Sequence, residues 1–178
     1  MTGSAGWSRP GLPTDLVVRP ARTSDVRSVR RLVDLYSEGR VLLSKATVTL
    51  YEDVPDFVVA TSQDQVVGCG ALHVLWEDLA EVRTLAVDPA FRGRGVGHVL
   101  LERLVQRAED LGVERLFCLT FEIAFFEAHG FFEIDGAPVP HDVFEQLLQS
   151  YDEGVAEFLD LERVKPNTLG NHRMLRKL

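Results

Sequence analysis

The chain has 178 residues, of which 46% are apolar, and a formal net charge of −8. Acidic residues are spread along the chain without a basic patch, which argues against nucleic acid as the main partner but leaves room for a small anionic ligand. The longest stretch of low polarity, residues 66–76, has about half the length that a membrane span requires, so no membrane partner is expected.

Residues 1–13 are rich in Gly, Ser and Pro and lack the apolar segment of a signal peptide, which predicts a disordered leader. Two cysteines, Cys69 and Cys118, lie in apolar runs; they are too few for a disulfide framework and suit a reducing cytoplasm, although a bridge between them stays open. We find no internal repeat and no linker, so residues 14–178 are expected to form one domain.

The first predicted strand covers residues 16–19 and ends at Pro20, after which Thr23 or Ser24 is expected to cap a helix. Apolar residues recur there at helical spacing and give the helix one buried face: Val26, Val29, Leu32, Val33 and Tyr36.

A helical or irregular piece at residues 42–51 precedes two strands, at residues 57–61 and 66–75. Gly68 and Gly70 interrupt the second of them. Glycine inside a strand indicates a bulge or a close approach of another part of the backbone.

The next strand is predicted at residues 81–87 and ends at Asp88, and the glycines after it lead into an amphipathic helix at residues 96–111 with Gly112 as its C-cap. The remaining predicted elements are a strand at 116–120, a helix at 123–129, a strand at 130–134, a helix at 143–150 and a strand at 173–177. A strand, a helix and a second strand in succession form a βαβ unit with a buried parallel pair. We therefore predict an α/β fold of mixed α+β type on one mixed sheet.

Three alternating glycines, Gly93, Gly95 and Gly97, lie between the strand and the helix of this unit. Glycine permits positive φ angles and lets a ligand approach the backbone. Successive N–H groups in such a turn, together with the positive end of the helix dipole, favour an anion such as pyrophosphate. Arg92 and Arg94 can add charge for phosphate contacts, although a flexible turn with two solvated arginines is the alternative.

Two nucleotide-binding patterns fit this loop poorly. A phosphate-binding Walker loop would end in Gly-Lys-Ser/Thr, whereas Gly97 is followed by His98 and Val99. A dinucleotide fingerprint needs an acidic residue about 20 residues beyond the glycines, at the end of the next strand, and no acid occurs at residues 115–120 before Glu122.

Residues 85–97 resemble the acetyl-CoA signature of the GNAT acyltransferase superfamily, whose loop pattern is Arg/Gln-x-x-Gly-x-Gly/Ala. Residues 125–131, Phe-Phe-Glu-Ala-His-Gly-Phe, resemble the Phe-Tyr-Glu-x-x-Gly-Phe segment that follows the next strand in that family. The resemblance covers roughly residues 16–134. It implies the GNAT fold, in which helices flank a central mixed sheet that is splayed between two parallel strands, here residues 81–87 and 116–120.

The resemblance also implies that acetyl-CoA is the co-substrate and that a neutral amine attacks its thioester directly, without an acyl-enzyme. Strand backbone is implied to pair with the pantetheine arm, and loop N–H groups to hold the pyrophosphate. The implied cofactor-binding residues are Leu85, Ala86, Val87, Arg92, Gly93, Arg94, Gly95, Val96, Gly97 and Phe126. No metal is expected, because the five histidines show no ligand spacing.

Removal of a proton from the substrate ammonium requires a base. Glu81 occupies the position of the catalytic glutamate in histone-acetylating members of the superfamily, and a solvated acid at a strand end is the alternative. Strand parity places Arg83 on the same face unless a bulge intervenes; there it would keep Glu81 ionised or bind a substrate carboxylate.

Phe126 replaces the tyrosine of many members, so no general acid is assigned. Cys118 is expected to be an inert core cysteine.

Within the superfamily, residues 116–131 and 171–178 are similar to segments of the acyltransferase domain of N-acetylglutamate synthases of arginine biosynthesis. Residues 39–45 resemble its Gly-x-Leu-x-x-Arg segment, with Lys45 where an arginine is usual. The family's Ile-Arg-Pro-Leu-Glu-Glu helix reads Val-Asp-Leu-Tyr-Ser-Glu at residues 33–38, so one substrate-binding arginine is missing. The chain also has no room for the amino-acid-kinase domain of the classical enzymes.

A free amino acid presents a carboxylate beside its amine, and a cation or N–H donors must hold it. Lys45 and Arg83 are the candidates, and Asn171 is expected to contact a side-chain carboxylate or amide; Glu122 and His172 are weaker candidates. Lys45 as a surface lysine and Asn171 as a turn residue are the alternatives. The resemblance implies L-glutamate as the acceptor, and the missing arginine leaves L-glutamine or another small amino acid as alternatives; the expected acceptor is L-glutamate or L-glutamine.

Two other functions remain open: acetylation of a protein N-terminus or of a small-molecule amine, and acyl-CoA binding without catalysis. The tail carries apolar residues at roughly helical spacing between residues 143 and 159. These residues either cap the sheet of the same chain or pack in a homodimer, which we slightly favour.

Overall fold

The computed structural model describes residues 11–37 and 45–178. The strands are β1 (Val17–Pro20), β2 (Phe57–Ser62), β3 (Gln65–Trp76), β4 (Leu79–Val87), β5 (Arg115–Thr120), β6 (Phe132–Glu133) and β7 (His172–Lys177). The helices are α1 (Val26–Ser37), α2 (Thr47–Glu52), α3 (Val96–Asp110), α4 (Ile123–Glu127), α5 (His141–Leu147), α6 (Glu153–Phe158) and α7 (Lys165–Thr168). Within these residues, no helix has the length and apolarity needed to cross a bilayer.

The strands form one seven-stranded sheet in the order β1-β2-β3-β4-β5-β7-β6. Only β4 and β5 run parallel among the strands of the described chain, which confirms the predicted mixed sheet and the βαβ unit through α3. These two strands pair only where Leu79, Ala80 and Glu81 face residues 115–117. Beyond Glu81 they separate, so within the described residues the edge of β4 at residues 82–87 has no ladder partner on its β5 side.

Three apolar clusters bury the two faces of the sheet. Helix α3 packs with Leu100, Leu101 and Leu104 on one face, and α1 covers the opposite face of β2, β3 and β4. A third cluster joins α5 and α6 of the tail to β5 and β7 through Phe117 and Phe158. The tail therefore caps the sheet of its own chain, which is the less favoured of the two alternatives; a homodimer stays a prediction.

The glycines of β3 allow both a bulge and a close approach. A Cβ atom on Gly68 would lie 2.8 Å from Cδ1 of Leu100 in α3, so a larger residue would collide with the helix. The pairing of β3 with β4 shifts register between Cys69 and Ala71, at Gly70. The bulge is confirmed, while the closest approach at Gly68 is that of a side chain of α3 and not of backbone.

The predicted cap of the first helix is wrong. Residues 23–25 form a 3-10 turn, and the N–H group of Arg22 donates to Oδ2 of Asp25 at 2.7 Å. Asp25 also accepts from Arg19 at 2.7 Å, so this acid, and not Thr23 or Ser24, fixes the start of α1.

Two other predicted elements are shorter or divided. The strand expected at residues 130–134 is reduced to β6, because Gly130 has a φ of 80° and the N–H of Phe131 returns to the carbonyl of Phe126 at 3.1 Å. The tail helix is interrupted before Asp152, whose Oδ1 caps α6 by accepting from the N–H of Val155 at 2.9 Å. Most other predicted boundaries agree to within two residues, and residues 42–44 lie outside the described residues.

Cys69 and Cys118 are both buried free thiols, so the open question of a bridge is answered against it. Burial raises the pKa of the Cys69 thiol to about 12 and raises that of Cys118 as well. The thiolate is the reactive form, so both side chains behave as core residues, as predicted for Cys118. The expected division into a leader at residues 1–13 and one domain at residues 14–178 stays a prediction.

Candidate active site

The gap between β4 and β5 opens into a cavity of about 1010 Å³. Its walls come from β4, the glycine loop, the first turn of α3, the end of β5, α4 and the tail around α6. All fourteen residues predicted for the site line it: Lys45, Glu81, Arg83, Leu85, Ala86, Val87, Arg92, Gly93, Arg94, Gly95, Val96, Gly97, Phe126 and Asn171. Their positions agree with one shared site, while the role of each stays a prediction.

The glycine loop presents backbone N–H groups to the cavity. Gly93 and Gly95 have φ angles of 71° and 89°, and Gly95 is the N-cap of α3. The first helical bond runs from the N–H of Val99 to the carbonyl of Gly95 at 3.2 Å, so the three preceding N–H groups of the helix have no helical acceptor. This arrangement fits the pyrophosphate of the implied co-substrate.

The two arginines of the loop rest on aromatic rings. The guanidinium of Arg92 lies 5.6 Å from the ring centre of Tyr36, and that of Arg94 lies 5.1 Å from the ring centre of Phe91. Nε of Arg94 also donates to the carbonyl of Gly11 at 2.9 Å. Both charges are therefore held beside the loop, and Arg94 shares its donors with the segment that precedes β1.

The free edge of β4 is partly used by a residue that the sequence did not single out for the site. The Tyr36 hydroxyl donates to the carbonyl of Val87, one of the groups expected to pair with pantetheine. Burial raises the pKa of this tyrosine, so the hydroxyl stays a donor. Its only sequence signal was its place on the apolar face of α1, which does not distinguish a core tyrosine from one at the rim of a cavity.

Glu81 is 4% exposed, so the alternative of a solvated strand-end acid is wrong. Nε of Arg83 donates to Oε2 of Glu81 at 2.7 Å. The bulge of β4 lies between Arg83 and Ala86, opposite Gly70, and the φ of Thr84 there is 55°. Because the bulge follows Arg83, the expected parity with Glu81 is retained.

Arg83 contacts a second carboxylate that sequence reasoning missed. Its Nη2 lies 2.7 Å from Oδ1 of Asp152, which precedes α6. Burial opposes the charge of Arg83, but Glu81 and Asp152 outweigh it and raise the pKa of the guanidinium. Burial also opposes the charge of Asp152, but the hydrogen bond and the charge of Arg83 outweigh it and lower the pKa of that carboxyl. The charge of Arg83 is thus shared between two protein acids before any substrate binds.

Glu157 is the other missed acid of the cavity. It is 7% exposed, and its Oε1 has no hydrogen-bond partner in the described part of the chain. Burial, followed by the negative charge of Glu81, raises its pKa to about 7. An acid inside the apolar run at residues 155–159 was the available sequence signal, but this run was interpreted only as a packing surface.

Lys45, Asn171 and His172 are also among the residues predicted to contact the substrate. Nζ of Lys45 lies 3.4 Å from Oδ2 of Asp53. Oδ1 of Asn171 is buried without a hydrogen-bond partner among the described residues, while its backbone N–H donates to Thr168 at 3.0 Å. His172, a weaker candidate, pairs instead with Glu133 outside the cavity lining.

An aromatic wall closes the side of the cavity near the loop. Phe126 is buried and packs edge to face on Phe125 and Phe131, with ring centres 5.2 and 5.1 Å away. Phe125 contacts His98, whose Nδ1 lies 2.6 Å from Nε2 of His129. Phe125 and His98 also line the cavity, although neither was predicted to belong to the site.

Comparison with known proteins identifies the family. The family model described as "Acetyltransferase (GNAT) family" matches residues 28–132. The chain belongs to the GNAT acetyltransferase family. It is 60% identical over 162 residues to an amino-acid acetyltransferase of Mycobacterium tuberculosis, covering 89% of this chain and 92% of that relative.

Solved structures agree with this assignment. Rv2747 from Mycobacterium tuberculosis, in complex with CoA and NLQ, superposes with a TM-score of 0.88 at 59% identity and covers 91% of this chain and 99% of that one. N-acetylglutamate synthase from Neisseria gonorrhoeae, complexed with coenzyme A and N-acetyl-glutamate, superposes with a TM-score of 0.73 at 22% identity, which shows the fold alone. The superposition covers 92% of this chain and 35% of that enzyme.

The family and the 60% identical relative establish the general activity. The chain is an acetyl-CoA-dependent N-acetyltransferase of the amino-acid acetyltransferase type. The predicted GNAT fold, with its two splayed parallel strands, is confirmed.

Proposed function

We propose that this enzyme transfers the acetyl group of acetyl-CoA directly to the α-amine of L-glutamate or L-glutamine, a reaction of the N-acetylglutamate synthase type that serves arginine biosynthesis. The observation that carries this proposal is the 60% identity to an amino-acid acetyltransferase over 92% of that relative. The cavity supports it, because acids, an amide and a lysine lie there within one enclosure with the cofactor loop. A cytoplasmic location and a homodimer remain predictions that accompany this function.

The co-substrate is assigned to the loop and the free edge of β4. In this proposal the N–H groups of Gly93 and of residues 95–97 and the side chains of Arg92 and Arg94 hold the pyrophosphate. The N–H groups of Arg92 and Arg94, also expected to take part, already donate to backbone carbonyls. The backbone of residues 85–87 pairs with the pantetheine arm in place of a strand, and Phe126 flanks it. Acetyl-CoA supplies the activated acyl group, and the protein orients it in the gap between β4 and β5.

The other end of the cavity is assigned to the amino acid. Acidic side chains of β4 and α6 suit an ammonium group, while Lys45 is the cation assigned to a substrate carboxylate. The amide oxygen of Asn171 has no hydrogen-bond partner among the described residues and suits the NH₂ group of glutamine. The amide in its flipped orientation suits the carboxylate of glutamate.

An acceptor screen tests this function. Purified enzyme with acetyl-CoA is incubated with each of the twenty free amino acids, with a peptide carrying a free N-terminus and with a polyamine, and CoA release is confirmed by the mass of the product. We expect glutamate or glutamine to give the highest kcat/KM. Turnover of only the peptide or the polyamine would contradict the proposal.

Replacement of Lys45 tests the carboxylate contact. In Lys45→Met the KM for glutamate or glutamine should rise about 10-fold or more, because a charge-assisted hydrogen bond contributes roughly 1.5–3 kcal/mol. The KM for acetyl-CoA should not change. Lys165→Met removes an exposed lysine that pairs with Glu162, and serves as the matched control with wild-type kinetics. An unchanged acceptor KM in the Lys45 variant would return this residue to the role of a surface lysine.

A further inference from the structure

Glu157 has an acceptor atom that the described residues leave unused. Its side chain is 7% exposed and lines the cavity, yet Oε1 has no hydrogen-bond partner in the part of the chain that the structure describes. A buried polar atom without a partner is unfavourable unless a ligand or water satisfies it. A ligand with an N–H donor would fill this position.

The helix that carries Glu157 is held by packing and by backbone contacts. The ring of Phe158 meets that of Phe117 edge to face, with centres 4.9 Å apart. Nη1 of Arg173 donates to the carbonyl of Glu157 at 3.1 Å, and Asp152 caps the start of α6. These contacts fix the helix against β5 and β7, so Glu157 enters the cavity from a rigid element.

Glu81, the acid expected from the family, is already engaged. Its Oε2 accepts a hydrogen bond from Arg83, whose second carboxylate contact is Asp152. The side of the Glu81 carboxylate that faces Arg83 is therefore occupied by a protein donor before any substrate binds. Glu157 has no such cation hydrogen-bonded to its carboxyl among the described residues.

The surroundings of Glu157 favour proton uptake near neutral pH. The charged groups that face it are Glu81 and Arg83 from β4, Asp152 and Glu153 from the start of α6, and Arg173 from β7 at its backbone. Burial and these acids, only partly opposed by Arg83, raise its pKa to about 7. A base is most effective when its pKa lies near the working pH.

We propose that Glu157 binds the α-ammonium of the amino-acid substrate and removes its proton, while Glu81 is a positioning residue that holds Arg83; this inference rests on the proposed function. The ammonium gives one proton to the Glu157 carboxylate. The lone pair of the amine then attacks the thioester carbonyl carbon, and the C–N bond forms as the C–S bond breaks. The second proton leaves the nitrogen and reaches the sulfur, giving CoA as the thiol, and Glu157 returns its proton to water.

The test is Glu157→Gln, which keeps size and polarity but removes the base. At pH 7.5 we expect kcat to fall about 100-fold or more, the usual contribution of a general base. The profile of kcat/KM against pH should lose its inflection near pH 7 and follow only the ionisation of the free amine. The Kd for acetyl-CoA should be unchanged. If Glu157 served only to hold the fold, its replacement would be expected to change the binding of acetyl-CoA as well.

A folding control accompanies the kinetics. A raised carboxyl pKa means that the folded state binds more protons than the unfolded chain between about pH 4.5 and 7, so Glu157 destabilises the fold increasingly as pH rises through that interval. Glu157→Gln should therefore have a higher Tm than the wild type at pH 8 and a smaller advantage at pH 5. Glu145→Gln, on the exposed face of α5, is the matched control and should show wild-type kinetics.

The outcomes separate this inference from the proposed function. The acceptor screen with the wild type tests the function by itself, and the Glu157 profile is measured on an acceptor that the wild type turns over. Glu81→Gln should lower activity and retain the inflection, moved to lower pH because the charge of Glu81 is one of the causes that raise the pKa of Glu157. If Glu157→Gln keeps both its rate and this inflection, or if Glu81→Gln loses the inflection instead, Glu157 is not the base.

Discussion

Arg83→Met is expected to lower the free energy of unfolding by about 3–5 kcal/mol, because removing one member of a buried ion pair leaves charge without compensation. Here one guanidinium serves two acids, Glu81 and Asp152, and the side chains of Arg83 and Glu81 are nearly inaccessible. The same change should abolish most activity, since both acids line the cavity. Urea denaturation at pH 8 gives the stability, and CoA release gives the activity.

Two further variants isolate the buried pair. Arg163→Met removes an exposed arginine that pairs with Glu153 on α6, and should change stability by no more than about 0.5 kcal/mol. Combining Glu81→Gln with Arg83→Met removes both partners of one contact, so the double variant should be more stable than the sum of the two single changes implies. Strict additivity would mean that the two side chains do not interact as the structure places them.

The pH dependence of the Arg83 variant follows from Asp152. The folded pKa of this carboxyl is lowered, so its ion pair stabilises the fold above its unfolded pKa of about 3.9 and this contribution is lost as pH falls through the folded value. In Arg83→Met the carboxyl of Asp152 loses the cation that lowers its pKa, so it is protonated at a higher pH than in the wild type. The stability deficit of the variant should therefore be largest near pH 8 and shrink as the pH approaches 4.

The features that the sequence predicts well are local ones. The loop from Gly93 to Gly97, the strand before it and α3 are encoded by neighbouring residues, so their positions and their shared cavity were expected before the structure was known. The neighbourhood of Glu81 and Arg83 also followed from strand parity, although only the structure shows that the bulge at Thr84 comes after both.

The features that the sequence does not predict depend on contacts between distant segments. Asp152 meets Arg83 only because the tail folds back over β5 and β7, and periodicity cannot reveal this. A side chain at position 154 would also meet the guanidinium, since a Cβ there would lie 2.4 Å from Cζ of Arg83, so Gly154 is needed for this approach. Glu157 lies in an apolar run whose packing side is set by the same fold.

The glycine loop gives the second large effect. Gly93→Ala should raise the Kd for acetyl-CoA about 10- to 100-fold, measured by isothermal titration calorimetry, because the N–H groups of a displaced loop lose charge-assisted hydrogen bonds of roughly 1.5–3 kcal/mol. The φ of Gly93 is 71°, and apart from its chain neighbours no atom of the described residues lies within 4 Å of a Cβ built there. The added methyl group would therefore stand free at the cavity wall, where the proposed pyrophosphate lies.

Gly112→Ala is the control that separates ligand binding from backbone strain. Gly112 follows the other end of α3, has a φ of 81° and also has no protein atom within 4 Å of an added Cβ. Both alanines pay a similar penalty of about 1–2 kcal/mol for the left-handed conformation. If the two variants lose equal stability but only Gly93→Ala loses affinity for acetyl-CoA, the phosphate contact belongs to the loop. Equal affinities in the two variants would mean that the pyrophosphate is bound elsewhere, and that the glycines of this loop serve only the turn into the helix.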